Sequence, residues 1–144
     1  MESFESDDGH VIVRLDRGDM VLESIERACE DHDVDTGAVV TGIGTFSTLN
    51  IHYVDRTDLP EDQSDRNVDL ELEGAWEVTD VNGVIADGDP HLHVTAFDGD
   101  RTVGGHLEEG CEINVLGEIT IRKIDGLSLE RRPGDRNVSQ LARR

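Results

Sequence analysis

The sequence predicts an α+β fold, a largely antiparallel β-sheet with one main amphipathic helix. Three observations predict it. A single stretch, Met20 to His32, carries apolar residues at helical spacing. Most of the remaining chain consists of short runs rich in β-branched residues. Those runs are separated by Asn-Gly and Asp-Gly pairs suited to hairpin turns. At 144 residues, with 35% apolar residues and 15 glycines, the chain has the size of one domain and enough material for a core.

Val11 to Leu15 forms the first expected strand, broken by Gly18-Asp19. Asp19 suits an N-cap, where a carboxylate favours the helix N-terminus. In the helix, Val21, Leu22, Ile25, Ala28, Cys29 and His32 share one face, and His32 sits partly buried near its end. Val34 to Thr41 is a second strand. The Thr41-Gly42-Ile43-Gly44-Thr45 segment after it resembles a phosphate loop only superficially. A dinucleotide loop needs a third glycine and a following helix. Here Ser47 takes the third position and Leu49 to Val54 alternates as a strand, so the glycines mark a tight bend or a close backbone contact.

Asp55 to Asn67 is polar, contains Pro60, and is expected to be a surface loop. Val68 to Leu72 and Gly74 to Val81 are strand-like, and Asn82-Gly83 predicts a hairpin with Val84 to Ala86 as its return strand. Asp87-Gly88-Asp89-Pro90 is a further turn. His91 to Phe97 is a strand that Asp98-Gly99-Asp100 turns back into Thr102 to Leu107. Cys111 to Ile124 is a long β-branched run interrupted at Gly117, and Gly126 turns it into Leu127 to Leu129. Residues 1–130 are therefore expected to form one domain. Residues 131–144, with five arginines against Asp135, form a basic tail expected to pair loosely with the acidic body or to fray.

The formal charge is -20, from 33 acidic and 13 basic residues. Such a chain repels nucleic acid and anionic membrane at long range. No apolar run approaches a membrane span, and MESFESDDGH has neither a basic nor an apolar leader region, so the expected location is the cytoplasm. The acids are spread along the whole chain and Lys123 is the sole lysine, a pattern expected in a salt-rich cytoplasm. There the Debye length is roughly 3 Å at 1 M and self-repulsion is muted. Cys29 and Cys111 lack the paired spacing of a zinc ribbon and are expected as two buried thiols.

The chemistry concentrates in the histidines. In His91-Leu92-His93, residues i and i+2 of a strand point to the same face. If Gly99-Asp100 is a two-residue loop, His93 lies directly opposite His106; if Asp98-Gly99 is the loop, His91 does; either even-length loop keeps all three imidazoles on one face. A bulge at Gly104-Gly105 would break that register. Three converging imidazoles with an open position suit Zn2+, with nickel or iron as alternative divalent metals. In the Gly99-Asp100 register Glu108 opposes His91. Glu108 or Glu109 is then a candidate fourth ligand, second-shell partner or catalytic base acting on a metal-bound water. His52 is a more distant candidate, and His10 is expected in solvent.

Several segments resemble the PPC (plants and prokaryotes conserved) domain. They are Gly18-Asp19-Met20-Val21-Leu22-Glu23-Ser24-Ile25, Val40-Thr41-Gly42-Ile43-Gly44, Gly74-Ala75-Trp76-Glu77-Val78, Gly88-Asp89-Pro90-His91-Leu92-His93 and Gly104-Gly105-His106-Leu107-Glu108-Glu109-Gly110. They occur in family order over residues 10–125. The resemblance implies an α+β domain assembling as a homotrimer. It implies metal ligands drawn from the His-x-His and Gly-Gly-His motifs, here His91, His93 and His106. Family members are often labelled DNA-binding, but Arg131-Arg132-Pro133-Gly134 is not the Arg-Gly-Arg-Pro core of an AT-hook. Together these readings predict a metal-binding assembly or regulatory module with a small-molecule ligand at the metal. The alternatives are a metal-dependent hydrolase or lyase and a DNA-associated regulator.

Overall fold

The computed structural model describes residues 1–144. Nine strands and one helix follow the chain in the order β1 (Glu2–Glu5), β2 (His10–Asp16), α1 (Val21–Asp31), β3 (Thr36–Val54), β4 (Asn67–Ala86), β5 (Asp89–Phe97), β6 (Thr102–Leu107), β7 (Glu112–Lys123), β8 (Leu129–Pro133) and β9 (Ser139–Arg143). Seven strands form one antiparallel sheet in the order β1-β2-β7-β3-β4-β5-β6, and β3 pairs a second time with β6. Strands β3, β4, β5 and β6 therefore close on themselves as a small barrel. Strands β7, β2 and β1 extend from the N-terminal half of β3, which alone is 19 residues long.

The helix buries Val21, Ile25, Ala28 and Cys29, as the spacing of its apolar residues requires. They join a core of 24 residues that includes Val11, Val13 and Leu15 of β2, Ile119 and Ile121 of β7, and Leu92 and Val94 of β5. Both cysteines are free and buried, and burial pushes the Cys29 thiol up to about 12 and the Cys111 thiol up to about 11. Asp19 does not cap the helix. Met20 occupies the cap position, while the Asp19 carboxylate accepts from the Asp16 amide at 2.8 Å and pairs with the Met1 ammonium at 2.7 Å. A full positive charge within reach outcompetes the helix amides.

The hairpin expected at Asn82-Gly83 is absent, because β4 runs straight through to Ala86. Gly83 has φ +155°, and a Cβ there would stand 2.0 Å from the His91 carbonyl oxygen, so its glycine serves the approach of β5. The reversal comes at Asp87-Gly88, whose φ values of +57° and +74° are those of a two-residue primed turn. Thr41 to Thr45 stays extended within β3, and Gly44 lies opposite Gly117 on an uninterrupted β7.

The 130/131 boundary drawn from composition falls inside β8. The segment beyond it is a β8–β9 hairpin tied to the domain by its arginines. Arg131 donates to the Asp89 and Val84 carbonyls, each at 2.8 Å. Arg144 pairs with Asp35 at 2.5 Å and also with Asp87. Arg136 donates to the Leu59 carbonyl at 2.8 Å, joining the hairpin tip to the loop between β3 and β4.

On the face of the β1-β2-β7-β3 sheet opposite its inner residues Val11 and Val13, the register puts Phe4, Ile12, Leu116 and Ile43 on one side. All four are substantially exposed, as is Val115 at 65%.

Barrel closure depends on Gly105, where a Cβ would lie 2.5 Å from the His52 carbonyl oxygen of β3. Gly105→Ala should lower stability by about 1–3 kcal/mol, the range for overpacking a tight site. Urea unfolding measures this, and an unchanged midpoint would show that β3 and β6 are not held so closely.

Candidate metal centre

Strand β5 alternates strictly from Asp89, with Pro90, Leu92, Val94 and Ala96 buried and the residues between them exposed. This puts His91 and His93 on the outer face. Across β5–β6 the register is unbroken from His93↔His106 to Phe97↔Thr102, so Gly104-Gly105 forms no bulge. The loop is the two-residue Gly99-Asp100 form. The Asp98 amide donates to the Arg101 carbonyl at 3.2 Å, and the Asp98 carboxylate accepts from the Asp100 and Arg101 amides. Across β6–β3, His106 pairs in turn with His52.

His106 is consequently the centre of a histidine cluster. Its ring centroid lies 4.6 Å from His91, 5.6 Å from His93 and 4.5 Å from His52. One ligand atom from each of His91, His93 and His106 falls within 4.8 Å of the others, and the same holds for His52, His106 and Glu108. The two groups share His106.

Glu108 does not oppose His91, because β5–β6 pairing ends at His93↔His106. Its amide instead donates to the Asn50 carbonyl at 3.0 Å, which carries it to the β3 side. There its carboxylate bonds His52 Nδ1 and stands 3.8 Å from His106 Nε2. Glu109 is exposed and does not line the cleft around the cluster. Its backbone carbonyl accepts from the Asn50 side chain at 3.0 Å. His10 contacts Asp8, and His32 contacts Ser3 and Glu5, all away from the cluster.

The cluster forms one side of a cleft of about 660 Å³. Leu59, Gln63 and Arg66 of the β3–β4 loop and Arg131 and Val138 of the C-terminal hairpin supply other walls. Burial, followed by the neighbouring His91 and His52 rings, lowers the His106 pKa to about 4, against the opposing pull of Glu108. Burial and then Arg131 also lower that of His91. Near neutral pH both rings are therefore uncharged and offer lone pairs, as metal ligation requires. The donor set of imidazoles held on paired strands fits a divalent transition metal, with the His52–Glu108 pair beside it.

Sequence reasoning ranked His52 too low and did not place the loop or the hairpin at the site. The alternation of Ile51-His52-Tyr53 was visible. The β3–β6 pairing that gives it meaning joins segments 56 positions apart, as the His52–Glu108 contact spans, and leaves no local pattern.

Comparisons with known proteins bear on this geometry. The family profile of the Plants and Prokaryotes Conserved (PCC) domain matches residues 2–125. A metal-containing protein from Archaeoglobus fulgidus has the same fold, with 25% identity, a TM-score of 0.75 and 95% of each chain covered. A Bacteroides thetaiotaomicron protein provisionally called DNA-binding superposes with a TM-score of 0.83 over 98% of this chain and 96% of its own, at 16% identity, a likeness of fold alone. A bifunctional protein GlmU of Synechococcus sp. (strain JA-3-3Ab) is 27% identical over 110 residues, 76% of this chain. The chain spans only 16% of that relative's length.

The His106 shift carries a pH dependence. Its folded pKa is lowered from 6.5 to about 4, so below 6.5 the unfolded chain takes up a proton that the folded chain refuses. Its contribution to stability is complete above pH 6.5 and is lost as pH falls towards 4. Denaturant midpoints of metal-free protein should fall across this window, and less so in His106→Asn. Identical pH profiles would contradict the assignment.

Proposed function

The chain belongs to the Plants and Prokaryotes Conserved (PCC) domain family, and from that premise we propose that it is a homotrimeric metal-binding module of a salt-rich cytoplasm. His91, His93 and His106 hold Zn2+, and the cleft beside them receives a small-molecule ligand. The observation that carries this reading is the convergence of three ligand atoms within 4.8 Å on a rigid strand face. Zinc is preferred over nickel or iron because three imidazoles with an open fourth place match its tetrahedral habit. A zinc ion there supplies a Lewis acid to whatever occupies the cleft. The Glu108 carboxylate orients the His52 ring at the rim, and the metal-containing Archaeoglobus relative lends support.

The trimeric assembly rests on the outer sheet face. Phe4, Ile12, Ile43, Leu116 and Val115 present exposed apolar surface that the helix, packed on the opposite side, leaves uncovered. Cys111 and Ile113, by contrast, point into the chain's own core. For the cytoplasmic setting, the acidic surface is the argument, and no helix is long and apolar enough to cross a membrane.

Direct, tight DNA binding is not part of this function. Phosphate contacts need free cationic side chains. Four of the five hairpin arginines, Arg131, Arg132, Arg136 and Arg144, are already paired with carboxylates of this acidic chain, which leaves Arg143 as a single free cation.

Protein purified in molar salt should scatter light as a trimer and carry one zinc per chain by elemental analysis. His93→Ala should lose the zinc and keep the trimer, whereas Val115→Glu with Ile43→Glu should yield monomers. Chelation should cost about 2.7 kcal/mol when free zinc had stood at a hundred times its Kd. A metal-free wild-type protein that cannot be reloaded, or a stable wild-type monomer in molar salt, would defeat the respective half of the proposal.

Labelled duplex titrated at several salt concentrations should show no submicromolar affinity. Submicromolar binding that survives molar salt would mean the arginines are more available than their ion pairs indicate.

A further inference from the structure

Arg66 stands apart from the other arginines. It is 5% exposed, yet no carboxylate lies within 4.0 Å of its guanidinium in a chain with 33 acidic residues. The other arginines without such a partner, Arg17, Arg122 and Arg143, are exposed or only half-buried. Buried charges are ordinarily paired, because leaving one without a counter-ion is costly. Arg66 receives only carbonyl oxygens. Nη1 donates to Pro60 and Arg136 at 2.8 and 2.7 Å, and Nη2 donates to Asn137 at 3.4 Å.

These bonds fix the plane of the guanidinium and leave Nε–H unused. The buried side-chain atoms lacking a partner are on Glu23, Asn50 and Trp76, so the Arg66 Nε–H is not sealed inside the protein. Arg66 lines the same cleft as the histidine cluster. An immobilised guanidinium with a free edge is the geometry that binds a carboxylate through two parallel hydrogen bonds. The same cleft is also lined by Val54, Leu59 and Val138. A second cation, Arg131, is anchored to the carbonyl of Val84, the strand partner of His91. The cleft thus combines a fixed cation at Arg66, a short apolar lining and a metal-ligating rim, within a volume suited to a small molecule.

We propose that the cleft takes a small organic carboxylate whose carboxyl group seats on Arg66 while its other end reaches the metal held by His91, His93 and His106. The metal end of this inference rests on the metal reading above, and the Arg66 end stands on its own geometry. The ligand supplies the directly bonded carboxylate that Arg66 lacks, the nearby Asp62 acting on it only at longer range. The cleft lining balances Arg66 and Arg131 against Asp89 and Glu108, so within a chain of formal charge -20 the carboxylate is received by the fixed hydrogen-bonding geometry of Arg66 and not by a general positive field.

The test uses the full chain loaded with Co2+ at constant high ionic strength, titrated calorimetrically with succinate, with inorganic phosphate and with the uncharged succinamide. Succinate should bind, its protons should show paramagnetic relaxation from Co2+, and succinamide should bind at least tenfold more weakly. Arg66→Met should weaken succinate at least tenfold, and Arg66→Lys, which keeps the charge without the planar edge, at least threefold. Both should keep the wild-type Co2+ absorption bands and circular dichroism. Should Arg66→Met fail to fold, Arg66→Lys and the relaxation measured on wild-type protein decide. Equal binding of succinamide, preference for phosphate, unchanged affinity in the folded Arg66 variants, or bound succinate without Co2+ relaxation would overturn the proposal. Absence of Co2+ bands would defeat the metal reading and the metal-reaching half of this one. Calorimetry on the metal-free chain would then decide the Arg66 seat, with Arg66-dependent succinate binding supporting it and no binding overturning it.

Discussion

The second pairing of β3, with β6, is the constraint on which the site depends. Ile51 faces Leu107 and His52 faces His106, so a sheet that would otherwise end at β6 closes into a barrel. Closure removes an unpaired edge, always a liability in an antiparallel sheet. It also sets the chemistry, because it brings His52 to His106 and carries Glu108 past the end of β6 onto the Asn50 carbonyl. A glycine at 105 makes the approach possible. The His52–Glu108 side of the histidine cluster is thus a consequence of how the barrel shuts.

Electrostatics here follow a division of labour. The carboxylates cover the surface, and several of the cations serve as ties between segments. Arg131, Arg144 and Arg136 hold the β8–β9 hairpin against the β4–β5 turn and the β3–β4 loop. Exposed ion pairs are individually weak and screened by salt. Several of these ties, however, end on backbone carbonyls, and Arg131 is itself largely buried. The cleft's walls are therefore joined by contacts that salt weakens less than surface pairs. The histidines complement this arrangement, since burial first of all, with the His91 and His52 rings beside His106 and Arg131 beside His91, keeps both rings neutral in an otherwise highly charged molecule.

Much of the fold was legible in the sequence because it is written in short periods. The 3.6-residue spacing of Val21, Ile25, Ala28 and Cys29 located the helix, and the alternation around His91-Leu92-His93 located β5. The hairpin was legible too, but whether His93 or His91 faces His106 depended on the loop, and the structure selects Gly99-Asp100 and so His93. Local signals misled where one residue type serves two ends. Asn82-Gly83 has the composition of a turn, yet Gly83 is there to let the His91 carbonyl pass. Asp19 has the chemistry of a cap, yet the Met1 ammonium claims it.

What the sequence determined by itself is the fold class, the acidic character and the His91–His93–His106 face, each a property of neighbouring residues or of one hairpin. What only the tertiary structure decided is the position of His52 and Glu108, the making of a cleft from the β3–β4 loop and the C-terminal hairpin, and the burial of Arg66 among carbonyl oxygens without a directly bonded carboxylate. These depend on which distant segments meet. The pairing of β3 with β6, and of hairpin with loop, is selected by the packing of the whole core and the satisfaction of backbone groups, which no local pattern of residues encodes.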